Sequence, residues 1–78
     1  MPKRFYKELG VLLKEERIRH SMSQQDVADR IKVSRGTVAN WETGRRVIYI
    51  DDLFRLCDMF GIDPNELTDK VKRYLYKD

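Results

Sequence analysis

The chain has 78 residues and a mass of 9.4 kDa, which is the size of one small domain. A single cysteine and a single histidine exclude an internal disulfide and a structural zinc site built from these ligands. The longest apolar run, Val47 to Ile50, is far too short to span a bilayer, and no signal peptide is recognisable. We therefore expect one cytoplasmic domain over residues 1–78, with no metal, no cofactor and no membrane partner.

Charge is unevenly distributed along the chain. The 16 basic and 13 acidic side chains give a net charge of +3. Residues 1–50 carry eleven basic and six acidic groups, or +5, whereas residues 51–78 carry five basic and seven acidic groups, or −2. A basic half is typical of proteins that bind a polyanion such as nucleic acid. Many solvated helical surfaces share this pattern, so the sequence motifs must decide between the two interpretations.

Apolar spacing and helix-end residues predict an all-α protein, a compact five-helix bundle without a sheet. The first helix is expected over residues 5–20, with Leu9, Leu13 and Ile18 in its apolar stripe. Two short helices follow, over residues 24–31 and 35–43.

These two short helices are separated by a three-residue turn. Ser23 and Ser34 stand where an N-cap hydroxyl is preferred, one before each helix. Paired helices of this kind, here over about residues 23–43, are typical of the helix-turn-helix motif, which places its second helix in the DNA major groove.

The second helix of the pair has two different faces. At 100° per residue, Val38 and Trp41 fall together, flanked by Glu42, and are expected to face the domain. A small, polar opposite face allows the helix backbone to approach base edges closely. That face carries Gly36, Ala39, Asn40 and Thr43, with Arg35 in the first turn.

The C-terminal third is predicted to contain a loop and two helices. Residues 45–50 are interpreted as the loop, and the fourth helix starts near residue 50 or 51 and ends at Gly61. Asp63 followed by Pro64 is a strong start signal for the last helix, expected over about residues 64–76.

The chain resembles the phage repressor/Cro-type (XRE) helix-turn-helix family over about residues 8–68. The resemblance rests on the stretch Met22-Ser-Gln-Gln-Asp-Val-Ala-Asp-Arg-Ile-Lys-Val-Ser-Arg-Gly-Thr-Val-Ala-Asn-Trp-Glu-Thr-Gly-Arg45. Downstream residues match the fourth and fifth helices of the same family: Leu53, Leu56, Phe60, Gly61, Ile62, Asp63, Glu66 and Leu67.

The resemblance implies specific roles for individual residues. It assigns contacts with DNA base edges to Arg35, Gly36, Ala39 and Asn40. It assigns contacts with the DNA backbone to Gln24, Gln25, Ser34, Thr37, Thr43, Arg45 and Arg46. It also implies a structural ion pair between Arg17 and Glu42. Side-chain chemistry agrees with the base contacts, because arginine can pair with guanine, asparagine with adenine, and an alanine methyl with a thymine methyl.

The sequence departs from the family pattern at several positions. Lys32 stands where the family usually has glycine, so it is expected to adopt a left-handed conformation. Ser21 replaces another common glycine, and Ile48 stands near a usual proline. Two interpretations of residues 47–50 remain open: Ile50 enters the core with its neighbours partly exposed, or the segment forms a dimer contact. The candidate dimer contacts are Val47, Ile48, Tyr49, Tyr74 and Leu75.

The remaining reactive groups are assigned structural roles. Cys57 and Trp41 are expected in the core. The basic residues Lys3, Arg4 and Lys7 are interpreted either as phosphate contacts or as a solvated helix end. Neither a phosphate-binding glycine loop nor a nucleophile with an activating histidine is recognisable in the sequence, so we do not expect an enzyme.

Together these features predict a sequence-specific, DNA-binding transcriptional regulator associated with the nucleoid. We expect a dimeric repressor that binds a pseudopalindromic operator in double-stranded DNA through the major groove. The alternatives are an antitoxin that also represses its own operon, a restriction-modification controller, and an interaction module that no longer binds DNA. A toxin or an anti-repressor is a further candidate partner.

Overall fold

The computed structural model describes residues 3–76, and within this range it contains five α-helices and no strand. The helices are α1 (Lys3–Arg19), α2 (Gln24–Ile31), α3 (Arg35–Glu42), α4 (Ile50–Phe60) and α5 (Pro64–Leu75). α1 packs against α3 and α5, α2 packs against α3, and α4 contacts α2 and α5. The predicted all-α class and the order of the helices are confirmed.

Side-chain caps explain where three of the helices begin. Ser23 forms a reciprocal capping box with Asp26, in which the serine hydroxyl accepts from the Asp26 amide and the Asp26 carboxylate accepts from the Ser23 amide. Ser34 caps α3, and the Asp63 carboxylate accepts from the Asn65 amide at 2.9 Å at the start of α5. α4 follows Tyr49 without a side-chain cap, so packing determines where it begins.

The five helices surround one apolar core. Cys57 is fully buried in it, and burial raises the pKa of its thiol to about 11, so the thiol stays protonated and unreactive at neutral pH. The buried apolar residues are Leu9, Leu12, Leu13, Val27, Ala28, Ile31, Val38, Trp41, Ile48, Leu53, Leu56, Cys57, Phe60, Leu67 and Val71.

The loop before α4 corrects one expectation. Ile48 is in the core, only 6% exposed, whereas Ile50 is 62% exposed, so the interpretation that Ile50 enters the core is wrong. The backbone of residues 47–49 is non-helical, and Tyr49 is extended. Extended backbone alternates its side chains between two sides, so Val47 and Tyr49 point outward while Ile48 points inward.

Ile18 corrects a second expectation. It is 57% exposed and does not belong to the buried stripe of α1. Nine residues at 100° each place Ile18 on the side of the helix opposite Leu9, which is 1% exposed. Glu16, only 6% exposed, lies on the buried side instead.

α1 and α3 approach each other closely at Gly10. A Cβ atom at this position would lie 2.2 Å from the Trp41 carbonyl oxygen and 2.7 Å from that of Glu42. These are backbone atoms, which cannot move aside as a flexible side chain can. The absence of a side chain at Gly10 is therefore what allows the two helices to pack at this distance.

Candidate nucleic-acid interface

The turn between α2 and α3 determines how α3 is presented. Lys32 ends α2 in the left-handed conformation, with φ 62° and ψ 49°, as expected where the family usually has glycine. The Ser34 hydroxyl then accepts a hydrogen bond from the Thr37 amide at 3.0 Å and lies 2.8 Å from the Thr37 hydroxyl. The first turn of α3 is thus stabilised from within the motif.

One face of α3 is open to solvent. Arg35, Gly36 and Asn40 are exposed and Ala39 is half-buried, so the candidate base-contacting residues share the accessible side of the helix. A Cβ atom at Gly36 would have only the Ser34 hydroxyl, at 3.8 Å, within 4 Å. Val38, Trp41 and Glu42 are buried on the opposite side. The arrangement agrees with the two faces predicted from the sequence.

A chain of hydrogen bonds connects the buried side of α3 to its open face. Arg17 and Glu42 form the expected ion pair, with Nε to Oε2 at 2.6 Å and Nη2 to Oε1 at 3.1 Å. Gln24 Nε2 donates to Glu42 Oε1 at 3.0 Å, and Arg35 Nη1 donates to Gln24 Oε1 at 3.3 Å. Because the carboxylate takes the amide nitrogen of Gln24, the amide oxygen is directed to Arg35.

Arg17 also holds the start of the motif in place. Its Nη1 donates to the Met22 carbonyl oxygen at 2.8 Å, and its side chain is only 12% exposed. Arg17 therefore joins α1, the segment before α2 and the end of α3. The family resemblance implies only the ion pair between Arg17 and Glu42. The hydrogen bonds to Met22 and from Gln24 could not be predicted from the sequence, because they depend on how three separate segments meet.

The two glutamines at the start of α2 are partly engaged within the protein. Gln24 uses one hydrogen of its Nε2 for Glu42 and keeps the second for another acceptor. Gln25 Nε2 donates to Asp29 Oδ1 at 2.8 Å in an exposed position. A phosphate contact by Gln24 is compatible with these bonds, and it stays a prediction.

The segment after α3 is tied back to the helix by its backbone. The Arg45 and Arg46 amides both donate to the Asn40 carbonyl oxygen, at 2.9 and 3.2 Å, and the Thr43 hydroxyl donates to Ala39. Thr43, Arg45 and Arg46 are exposed. Among residues 3–76, the guanidinium groups of Arg35, Arg45 and Arg46 take part in no ion pair. Three cations are thus available next to the open face of α3.

Two of the candidate dimer contacts have limited accessibility. Ile48 is buried in the core, so its side chain is not a surface contact, and Leu75 is half-buried. Val47, Tyr49 and Tyr74 are 43, 68 and 49% exposed. They remain candidates.

An exposed apolar patch extends beyond these candidates. It consists of Val47, Tyr49, Ile50 and Phe54, the last 48% exposed. Phe54 was missed as a surface contact by the sequence reasoning. The available signal was its position one turn after Ile50, outside the Leu53–Phe60 core stripe.

Two other kinds of site are not found in the described part of the chain. Residues 3–76 contain no group of three or more His, Cys, Asp or Glu side chains placed to hold a metal ion. None of the helices described is both long enough and apolar enough to cross a membrane.

Comparison with known proteins agrees with the geometry. A helix-turn-helix family model matches residues 13–67, more than two thirds of the chain. Among curated protein sequences, none matches this chain at a significant level.

Solved structures share the fold over most of the chain. The restriction-modification controller protein C.AhdI from Aeromonas hydrophila is 27% identical, with a TM-score of 0.74, covering 80% of this chain and 94% of that one. The DNA-binding domain of BldD is 26% identical, with a TM-score of 0.76, over 86% and 97% of the two chains.

The clp gene regulator ClgR from C. glutamicum has a TM-score of 0.84 over 95% of this chain and 96% of its own. At 19% identity it shows the fold alone. The family match covers the two motif helices and the residues that position them. The chain therefore belongs to the XRE-type helix-turn-helix family of DNA-binding regulators.

Proposed function

We propose that this protein is a sequence-specific transcriptional repressor that binds double-stranded DNA as a homodimer, with α3 in the major groove. One observation carries the proposal. The open face of α3 presents Arg35, Gly36, Ala39 and Asn40, and the ion pair beneath it anchors Arg35 through Gln24. Side chains that specify bases must be held in one geometry, because a loosely held arginine distinguishes guanine poorly.

The DNA backbone contacts are proposed for the residues around this face. Arg45 and Arg46 flank the end of α3 and pair with no acidic group of residues 3–76, and Ser34 and Thr37 lie at its start. Such contacts fix the orientation of the protein on the duplex and carry little sequence information.

A homodimer is supported by the exposed apolar patch. Aromatic side chains bury about 150–250 Å² each, so at their fractional exposures the two aromatic and two aliphatic side chains of the patch present about 400 Å². That is about half of what a standard interface buries on each partner. Two recognition helices related by a two-fold axis would then bind half-sites about 34 Å apart.

Selection of binding sites from random duplex DNA tests the proposal, because it yields both the operator and its symmetry. On the selected site, Arg35→Ala is expected to weaken binding by about 1–3 kcal/mol and to relax the preference at one base pair. The matched variant Arg45→Ala should weaken cognate and random DNA alike and flatten the salt dependence by about one unit. Equal losses on cognate and random DNA for Arg35→Ala would contradict the assignment.

The dimer is tested by sedimentation equilibrium. Tyr49→Ser is expected to shift the protein from dimer to monomer, whereas Tyr76→Ser, at a 79% exposed aromatic directly after α5 and outside the patch, should leave it dimeric. Tyr74→Ser examines the alternative interface at the end of α5. A wild-type protein that sediments as a monomer at all concentrations would contradict the homodimer.

A restriction-modification controller is the second candidate, and the likeness to C.AhdI favours it. In that case the selected operator should lie upstream of the protein's own gene, next to genes for a methyltransferase and an endonuclease. An operator found only at unrelated genes would favour a general repressor.

A further inference from the structure

A cleft beside the candidate DNA interface has no role in the function proposed above. It lies where the first turns of α1 meet the end of α3, and it is lined by Arg4, Lys7, Glu8, Thr43 and Gly44. We propose that this cleft binds a second stretch of DNA backbone phosphate, next to that contacted by Arg45 and Arg46. The inference rests on the proposed function, since it extends the same interface beyond the helix-turn-helix motif.

Gly44 places the cleft next to the DNA-facing loop. A Cβ atom at Gly44 would lie 2.7 Å from the Lys7 Cα and 2.9 Å from the Lys7 amide nitrogen. Gly44 also has a φ of +76°, which favours glycine. The α1 backbone therefore packs directly on the residue that precedes Arg45, and Lys7 belongs to the same surface although the sequence separates it from the motif.

The cations of the cleft are free to bind an anion. Arg4 and Lys7 are exposed, and neither forms an ion pair with any residue in the 3–76 range. The Arg4 guanidinium donates to the Tyr74 carbonyl oxygen at 3.4 Å, a long hydrogen bond that leaves its other donors available. Glu8, half-buried, also lines the cleft, so the two cations exceed the one carboxylate by a single charge.

The sequence after Arg46 explains why phosphate is the expected ligand. Residues 47–50 contain no cation and expose apolar side chains, so the loop itself supplies no further positive charge on this side of α3. Lys7 and Arg4 add two cations to the surface of α1 that packs against Gly44, the residue before Arg45. Lysine is a flexible point charge suited to a phosphate, and such a contact adds affinity without adding sequence preference.

The test is the salt dependence of binding to a random-sequence duplex, measured by fluorescence anisotropy from 50 to 200 mM salt. Replacing Lys7 by glutamine (Lys7→Gln) should make the slope of log K against log salt shallower by about 0.9. Over this fourfold range, the ratio of wild-type to variant affinity should fall about threefold. Arg4→Gln should act in the same direction, which keeps the proposal testable if one variant folds poorly.

Lys70→Gln and Glu15→Gln serve as matched controls, and Glu8→Gln is a further test. Lys70→Gln removes an exposed lysine from α5, in a different cleft lined by Leu12 and Glu15, and should leave the slope unchanged. Glu8→Gln removes the carboxylate of the proposed phosphate cleft and should tighten binding, whereas Glu15→Gln should not.

The outcomes separate this inference from the function it extends. If the wild-type protein binds duplex DNA but Lys7→Gln and Arg4→Gln keep the slope of Lys70→Gln, the cleft does not bind phosphate and the proposal is overturned. If the wild-type protein binds no duplex at any salt concentration, the proposed function itself fails, and the cleft with it. On a selected operator, ethylation interference should show phosphates whose ethylation weakens binding of the wild-type protein but not of Lys7→Gln.

Discussion

The two faces of α3 are built in opposite ways. The inner face is held by contacts with almost no free space: α1 meets it at Gly10, and Glu42 lies beneath it in a nearly buried ion pair with Arg17. The outer face has open space at Gly36, and beside it lie cations that form no ion pair within the described part of the chain. A surface that must accept another molecule cannot be stabilised by contacts of its own, so its geometry has to be fixed from the opposite side of the same helix.

Loss of the ion pair between Arg17 and Glu42 is expected to lower the free energy of unfolding more than any other change considered below. Arg17→Met removes both hydrogen bonds to Glu42, which leaves a 5% exposed carboxylate with Gln24 alone. A buried charge that loses its partner typically destabilises a protein by about 3–5 kcal/mol. Urea unfolding measures the loss. The control is Lys14→Met, which removes an exposed cation of α1 that takes part in no ion pair within residues 3–76 and should change stability by less than about 0.5 kcal/mol. Similar losses in the two variants would mean that the Arg17 pair contributes no more than an exposed charge.

The substitution of glycine by alanine is expected to affect stability differently on the two faces of α3. Gly10→Ala places a Cβ atom against backbone oxygens of α3 and should destabilise the protein by about 3 kcal/mol, since helices must move apart. Gly36→Ala adds the same methyl group where there is open space. It should leave stability unchanged or raise it by up to about 1 kcal/mol, because alanine has a higher helix propensity than glycine. Equal urea midpoints for the two variants would refute the contrast between the faces.

The cap at the start of α3 is expected to contribute less to stability than the ion pair or the Gly10 contact. Ser34→Ala removes the hydroxyl that accepts from the Thr37 amide, which should cost about 1 kcal/mol. Ser21→Ala is the matched control, because the Ser21 hydroxyl caps no helix N-terminus; Ser21 is the left-handed residue that follows α1. Hydrogen exchange should show faster exchange of the Thr37 amide in Ser34→Ala only, and unchanged exchange there would argue against the cap.

The smallest effect is the pH dependence of the capping box on α2. The Ser23 backbone N–H, with help from the Ser23 hydroxyl, holds the pKa of Asp26 below its usual value of 3.8. A carboxyl with a lowered folded-state pKa stabilises the protein above its unfolded pKa, and this stabilisation is lost as the pH falls through the folded value. Thermal midpoints of wild type and Asp26→Asn should therefore differ at pH 7 and converge towards pH 2. Asp69→Asn, at an exposed position of α5, is the control, and a constant gap for Asp26→Asn would exclude this role.

Local sequence accounts for most of the helix-turn-helix motif. The caps at Ser23 and Ser34 and the inward position of Glu42 were expected, because each depends on neighbours within a few residues or on helical periodicity. The left-handed Lys32 was expected from the family resemblance, since the family usually has glycine there. The ion pair to Arg17 was implied by the family resemblance and is present.

Expectations failed, or none could be formed, where the position of a residue depends on how separate segments pack together. Ile48 and Ile50 are equally apolar, but Ile48 lies in the loop and is buried, whereas Ile50 is the first residue of α4 and is exposed, and only the packed structure decides between them. Gly10 carries no sequence signal for its role, since the close contact depends on the distance between α1 and α3. The same holds for Lys7, whose place beside Gly44 comes from packing across the chain.

The amino-acid sequence by itself determined the helices, the capped starts of α2, α3 and α5 and the identity of the residues on the open face of α3, because capping and periodicity act over a few residues. The tertiary structure alone decided how that face is supported and how far the charged surface extends. Those properties come from Gly10 and Gly44 meeting other helices and from Gln24 linking a buried carboxylate to Arg35. Contacts between distant segments follow from the packing of the whole chain, which local patterns do not encode.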